Sequence, residues 1–244
     1  MDTILNHINS FYARRSHSLE SSTTISEKYH TFLKQWVVAF SPLVRGAHTR
    51  IAYTSGMSDL PEGAQDYSSQ CVLACTHALA VIIVKSNGGR CSEMFYDTLT
   101  EYFQHKIDYS KVVIAIMRSS SLPKYVFEIG VLAPLHVAAS KCRVRRLAIE
   151  LLRQYPAQEG VWEGYGCAES CEWAMGIEES GIIGGSPARR DIGGEGVALV
   201  PEWSRVKLTS MVCWLHKREI WAQCTSVLPV AHGSHRVLER IFTW

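Results

Sequence analysis

Several signals that would assign a function directly are missing from this chain. The first fifteen residues hold no continuous apolar run, which argues against a secretory signal peptide. No two cysteines have C-x-x-C spacing, so the commonest zinc-finger and redox patterns are absent. The G-x-S-x-G, H-E-x-x-H and G-x-x-x-x-G-K motifs are absent as well. We therefore predict that the chain is not an enzyme.

The chain also lacks a strong charge and a long apolar run. Its 244 residues carry a formal net charge of +2, which is too small to argue for nucleic acid or an acidic membrane surface. The longest apolar stretch, residues 71–84, is interrupted by Thr76 and His77. It is too short to cross a bilayer, so it predicts a buried helix and no membrane partner. Hydrophobic residues make up 47% of the chain, enough for one large or two small cores.

Apolar residues recur at helical spacing through most of the sequence, as in residues 29–40 and 95–117. We predict an all-α fold: an irregular domain of six to eight helices with a poorly defined C-terminal tail. Residues 1–27 are expected to form a short helix and a Ser/Thr-rich linker, residues 28–210 the helical domain, and residues 211–244 the tail. Residues 95–117 fit either one long helix or two helices with a break near Asp108. Val206 to Leu215 fits either a strand or a helix.

The eight cysteines offer one possible metal site. Cys71 and Cys75, like Cys167 and Cys171, are four residues apart and would share one face of a helix. Four thiolates from two helices could hold zinc, but buried free cysteines more often act as small hydrophobic residues. We predict reduced thiols packed in the core, with no metal or cofactor in this chain.

A basic segment is followed by an acidic one. The basic group could contact phosphates or act as a nuclear-localisation patch, or it could form internal salt bridges. It consists of Lys141, Arg143, Arg145, Arg146 and Arg153. Residues 159–179 hold six glutamates and no Lys or Arg, which favours the internal alternative. A basic helix, a three-residue turn and an acidic helix predict an antiparallel pair with complementary faces.

Two tryptophans mark the acidic segment. Trp162 and Trp173 are eleven residues apart, so on one helix they would lie on one stripe with Glu169. A carboxylate among aromatic rings needs a partner, and we predict that Arg143, Arg145 or Arg146 provides it. The residues expected to hold this region together, in a structural role, are Cys142, Arg143, Arg145, Arg146, Trp162, Glu169 and Trp173.

A set of ordered sequence blocks resembles a known family. Within residues 134–180 these blocks are PL, VAASKCR, the Arg145-Arg146 pair before LAIELL, EGVW and IEES. Earlier and later blocks are FLKQWVVAF, SEMFYDTLTEYF, FEIGVLAPL and VPEWSRV. Together, over about residues 28–210, the chain resembles the C-terminal half of fungal binuclear zinc-cluster (Zn2Cys6) transcription factors.

This resemblance implies a helical, non-catalytic regulatory domain in the nucleus, acting on metabolic or secondary-metabolite genes through protein contacts or through a small effector. It implies contacts with the transcription machinery, with other regulators or with a second copy, and no membrane partner. The family's zinc cluster needs six cysteines in two C-x-x-C groups, which this chain lacks. No zinc ligand or DNA contact is therefore assigned, and DNA would be reached only through a module missing here. The alternatives are an orphan helical scaffold, which would be cytoplasmic, and an enzyme using Cys or His.

Overall fold

The computed structural model describes residues 27–42, 64–86, 91–119, 125–126, 130–142, 145–160, 162–181, 183, 200–229 and 233–244. The predicted helix and linker before residue 27 lie outside this part of the chain. Two compact units are present. The first spans Met1–Cys91 and Glu101–Leu122, and the second spans Ser92–Thr100 and Pro123–Trp244.

The first unit is helical where it is described. Helix α1 covers residues 27–42, α2 covers Ala64–Lys85 and α3 covers Thr100–Ser119. The residues that precede α3 in the chain belong to the second unit: a 3₁₀ helix at Glu93–Leu99, which Ser92 caps by accepting a hydrogen bond from the amide of Met94, at 3.1 Å. Helix α3 continues through Asp108 without a break, and Gln104 and Lys111 both donate to the Asp108 carboxylate along one helix face.

Helix α2 is the most apolar element of the chain. Its segment Asp66–Lys85 is long and apolar enough to cross a membrane, by length and composition alone. Of its most apolar window, 67% is buried inside the protein. The buried residues include Cys71, Cys75, Ala80 and Ile82. This burial agrees with the sequence-based prediction of a core helix over residues 71–84.

In the second unit three helices follow one another. Helix α4 covers Leu132–Lys141, α5 covers Arg145–Gln154 and α6 covers Gly164–Ser180. Pro134 lies in the first turn of α4, where its missing N–H costs no hydrogen bond, so the proline does not kink the helix. Two short strands, β1 (Tyr125–Val126) and β2 (Gln158–Glu159), pair in parallel.

The C-terminal tail corrects the all-α prediction. The protein is mostly helical, but β3 (Val206–Trp214), β4 (Glu219–Ser226) and β5 (Val237–Thr243) form an antiparallel sheet in that order. The buried residues of β4 alternate along the strand: Ile220, Ala222, Cys224 and Ser226. The tail is thus an ordered sheet, and the domain boundary predicted after residue 210 falls inside β3.

Helix α6 packs closely on its neighbours because two glycines lie where they touch. A Cβ at Gly164 would collide with the carbonyl oxygen of Leu152 in α5, and one at Gly166 would collide with the side chain of Ile220 in β4. Glycine inside a helix ordinarily weakens it. These two glycines instead permit the close approach of α5 and of the sheet to α6.

Candidate functional site

The basic segment folds back on the acidic one, as the charge pattern predicted. At one end of the α5–α6 hairpin, Arg145 pairs with Glu178 at 2.6 Å and Arg146 with Glu179 at 2.7 Å. At the other end a single side chain, Arg153, contacts both Glu169, at 2.9 Å, and Glu172. The start of α5 thus meets the end of α6, so the two helices are antiparallel with facing charges.

The prediction that Arg145 or Arg146 pairs with Glu169 was wrong, since Arg153 makes this contact. Glu169 is only about two turns into α6, so it faces the end of α5, where Arg153 lies. Arg145 and Arg146 begin α5, about 11–12 Å from Arg153 along the helix axis, given a rise of 1.5 Å per residue. Arg143 lies outside the described residues.

The two tryptophans do not share a helix stripe. Trp162 precedes α6 and forms an isolated β-bridge with Glu159, and its ring lies 5.4 Å from that of His136. Trp173 is within α6 and meets Phe242 of β5 edge-on, with 5.9 Å between ring centroids. The spacing argument failed because α6 begins at Gly164, after Trp162.

Glu178 connects the hairpin to the sheet. Besides the Arg145 guanidinium, its carboxylate accepts a hydrogen bond from the backbone N–H of Val206, at 3.0 Å. Its backbone carbonyl accepts from the hydroxyl of Ser204, at 2.6 Å. Arg145 and Glu178 are 8% and 5% exposed, so this is a buried ion pair whose oxygens are satisfied by additional donors.

A second ionic network surrounds the 3₁₀ helix at Glu93–Leu99. Lys141 donates to both carboxylate oxygens of Glu93, at 2.8 and 2.9 Å, and its ammonium lies 5.2 Å from the Tyr96 ring centroid. Arg205 is buried and donates to Asp97 at 2.6 Å and to the carbonyl of Val200 at 3.1 Å. These contacts join the end of α4 and the start of β3 to the same short helix.

Glu159 occupies the N-terminus of α4. Its carboxylate accepts hydrogen bonds from the backbone N–H groups of Gly130, Val131 and Leu132, at 3.0–3.3 Å, and from the hydroxyl of Tyr155. Burial raises the pKa of Glu159, while these donors act in the opposite direction. Burial and the adjacent carboxylate raise the pKa of Tyr155. The arrangement closes the positive end of α4 with an internal anion.

The thiols are packed as hydrophobic groups. All eight cysteines are free, and six are buried. Burial raises the pKa of Cys171 and of Cys224 to about 12, and that of Cys71 to about 11. Cys142 is 2% exposed, and its backbone N–H closes α4 on the carbonyl of Ala138. Within the described residues, no group of three His, Cys, Asp or Glu side chains could hold a metal ion.

Sequence reasoning missed several residues that organise this region. It placed Glu159 and Glu178 in an acidic helix. It did not recognise that their buried carboxylates accept hydrogen bonds from backbone N–H groups. It gave Ser204 and Arg205 no role. The available signal was weak: Pro201 is the N-cap of a short 3₁₀ helix, Glu202–Ser204, which Ser204 ends and Arg205 follows. Only tertiary contacts reveal their partners.

The hairpin and its ionic networks join α5, α6 and the segment before β3 through named ion pairs and hydrogen bonds. Comparisons of the chain with protein-family models, with curated proteins and with solved structures find no match. Function is therefore argued from the residues of this chain.

Proposed function

We propose that the chain is a non-catalytic regulatory domain of the fungal zinc-cluster type, located in the nucleus and acting through protein contacts. In this proposal DNA is bound by a separate module, and this domain conveys a regulatory signal to other proteins.

The observation that carries the proposal is the internal pairing of the basic group. Each described member contacts a glutamate: Lys141 with Glu93, Arg145 with Glu178, Arg146 with Glu179, and Arg153 with Glu169 and Glu172. Phosphate binding needs cations that can exchange counterions for phosphate. Cations already matched by carboxylates are poor phosphate ligands, so this segment favours a role in protein architecture over direct DNA binding.

The thiols support a non-catalytic role. Reactive cysteines need lowered pKa values in a partly exposed, electropositive site. Here burial raises the pKa of Cys71, Cys167, Cys171, Cys213 and Cys224. At each of these positions the environment therefore disfavours the thiolate, which is the nucleophilic form of cysteine.

A reporter experiment tests the proposal. The chain is fused to an unrelated DNA-binding domain in a fungal cell with a reporter gene downstream of its sites. We expect reporter output to change several-fold, in either direction, relative to the DNA-binding domain alone. The matched control is Leu152→Asp, which places a charge at a fully buried position and should abolish the effect by unfolding the domain.

Two results would refute the proposal. One is unchanged reporter output from a fusion that accumulates and is folded. The other is tight duplex DNA binding by the isolated chain with a steep salt dependence, since that would place DNA contacts within this domain.

A further inference from the structure

The three-stranded sheet has two edges that differ in regularity. At one edge a register shift between Leu208 and Ser210 interrupts β3, and such a bulge opposes pairing with a further strand. At the other edge β5 pairs with β4 in one unbroken register from Val237 to Thr243, and β5 contains no proline or glycine. Of the two edges, the β5 edge is therefore the one that can accept another strand along its whole length.

Alternate residues of β5 direct their backbone groups away from β4. The Trp244 N–H donates to the Arg218 carbonyl, so residue 244 faces β4. The Arg236 carbonyl likewise accepts from the Ser226 N–H. The even-numbered residues of β5 thus face β4, and the odd-numbered residues turn their N–H and C=O groups to the opposite side, where no other described strand lies. These outward residues are Val237, Glu239, Ile241 and Thr243, and all four are exposed.

An apolar row crosses the sheet and ends at this edge. Val212 of β3, Trp221 of β4 and Ile241 of β5 are direct neighbours in the strand register. Ile241, at the end of the row, is 55% exposed, whereas Val212 is 39% exposed. A strand added to β5 would extend this row if it placed an apolar side chain directly opposite Ile241.

A second copy of β5 meets this requirement. We propose that two copies of the chain pair through their β5 edges as antiparallel strands, with the two Ile241 residues directly opposite each other on a two-fold axis. The apolar rows of the two copies then join. Outward backbone groups are exchanged between the two Ile241 residues and, on either side, between Glu239 of one copy and Thr243 of the other. This inference goes beyond the proposed function and does not depend on it.

The charges of β5 favour this register over the neighbouring ones. Here Arg240 lies opposite Phe242 of the second copy, and within one chain the Arg240 guanidinium already lies 5.2 Å from the centroid of that ring. Sliding one strand by two residues would place the two Arg240 side chains opposite each other. Sliding it by four residues would do the same to the two Glu239 side chains. Like charges directly opposite each other are destabilising, so the Ile241-centred register is preferred.

An extended segment of another protein is the less favoured occupant. It could use the same backbone groups, but nothing in β5 selects its side chains. A second copy supplies the apolar side chain that continues the row. Because the contact is confined to one strand from each copy, it is smaller than a standard interface, and the dimer should be weak and dependent on concentration.

Sedimentation equilibrium of the full chain tests the inference. We expect a dimer fraction that rises between about 5 and about 500 µM, as is typical of a small interface. Ile241→Lys places two cations opposite each other at an exposed position and should weaken dimerisation at least about tenfold. Val212→Lys is the matched control, because it puts the same charge in the same row but away from the β5 edge. It should dimerise normally.

Cross-linking measures the register independently and requires no disruptive change. Chains carrying Glu239→Cys and chains carrying Thr243→Cys are mixed and treated with a short bismaleimide, and the linked peptides are identified by mass spectrometry. We expect position 239 of one chain to link to position 243 of the other. Glu239→Cys alone should link to itself at most about a tenth as fast, because the two 239 positions are about 13 Å apart along the strands.

The inference is overturned if the chain stays monomeric over this range, or if Ile241→Lys dimerises as the unaltered chain does. It is also overturned if Val212→Lys weakens dimerisation equally, because the contact would then lie on the sheet face. Preferential linking of the two 239 positions to each other would reject the register. So would binding of an extended peptide at β5 without self-association, since the occupant would then be another protein. The reporter experiment tests the proposed function separately from all of these results.

Discussion

At the scale of single residues, the informative groups are buried polar side chains whose partners lie far away in sequence. Glu159 accepts from three backbone N–H groups around residue 131, and its role was not evident from the sequence because the donors are 27–29 residues away. The Glu159 carboxylate caps the N-terminus of α4 and also connects that helix to β2. Substitution of Glu159 should therefore leave buried hydrogen-bond donors without an acceptor.

We expect Glu159→Ala to lower the free energy of unfolding by about 2–4 kcal/mol, because it leaves buried N–H groups and the Tyr155 hydroxyl without an acceptor. Glu159→Gln keeps one acceptor oxygen and should cost less than the alanine variant. Denaturant unfolding measures both. Glu150→Gln, on the exposed side of α5, is the control and should change stability by at most about 0.5 kcal/mol. Equal losses for Glu159→Ala and the control would contradict this role.

His77 of α2 gives the first unit a pH dependence. Its ring stacks on Trp36 at 4.5 Å, and its Nε2 lies 3.3 Å from the carbonyl oxygen of Leu33. Burial lowers its pKa below 6.5, and the Leu33 carbonyl acts against that shift. Between the lowered folded value and 6.5 the unfolded chain binds more protons, so the stability contributed by neutral His77 is lost as pH falls below 6.5.

The measurement compares the unaltered chain with His77→Gln by denaturant unfolding from pH 7.5 to pH 5. The stability advantage of the unaltered chain should be largest near neutral pH and should narrow on acidification. NMR titration of the His77 ring provides an independent check, with a midpoint below 6.5. A constant difference across this range, or one that widens in acid, would show that His77 is not buried in its neutral form.

At the scale of elements, charge pattern predicted the α5–α6 hairpin but not its register. The alternation of a basic and an acidic segment was sufficient to expect antiparallel helices. Register depends on the turn, and the turn here is longer than three residues, since it contains β2 and the Glu159–Trp162 bridge. The sheet was harder to predict for another local reason: a register shift between Leu208 and Ser210 interrupts the alternation along β3.

The two ion pairs at one end of the hairpin should differ in energy. Arg145 and Glu178 are buried, whereas the side chain of Arg146 is 61% exposed. We expect Arg145→Met to cost about 3–5 kcal/mol because it leaves Glu178 buried and ionised, and Arg146→Met to cost at most about 1 kcal/mol.

A double-mutant cycle separates the energy of the Arg145–Glu178 interaction from the cost of burying each side chain. Adding Glu178→Gln to Arg145→Met should recover part of the loss, because a neutral amide is cheaper to bury and can still accept from Val206. Thermal unfolding of the four proteins provides the comparison. If the two changes add independently, Arg145 does not act on Glu178.

At the scale of the whole molecule, two units divide the chain in a way that composition alone did not predict. Helix content was predictable because α2 is a long apolar segment and the apolar residues of α3 and α5 recur at helical spacing. The division into two units was not predictable, because both units are discontinuous in sequence: Ser92–Thr100 belongs to the second unit, and Glu101–Leu122 belongs to the first. No linker-like stretch of sequence marks such a boundary.

Thiol accessibility tests this molecular arrangement. Among the eight cysteines only Cys91 and Cys213 are partly exposed, and six are buried. Alkylation of the native protein should therefore modify Cys91 and Cys213 first, and the remaining six should react only when the unit that buries them unfolds. Mass spectrometry of peptides after timed iodoacetamide exposure measures the order. Early modification of Cys171 or Cys224 would show that α6 does not cover the sheet as described.

The contact between Gly166 and Ile220 has an evolutionary consequence. The end of the Ile220 side chain occupies the space that a Cβ at position 166 would need, so a larger residue there must displace it. In related chains we therefore expect the two positions to vary together, with a side chain at 166 accompanied by a shorter or reoriented side chain at 220. This coupled exchange would identify distant relatives that keep the same helix-on-sheet packing after their overall sequences have diverged.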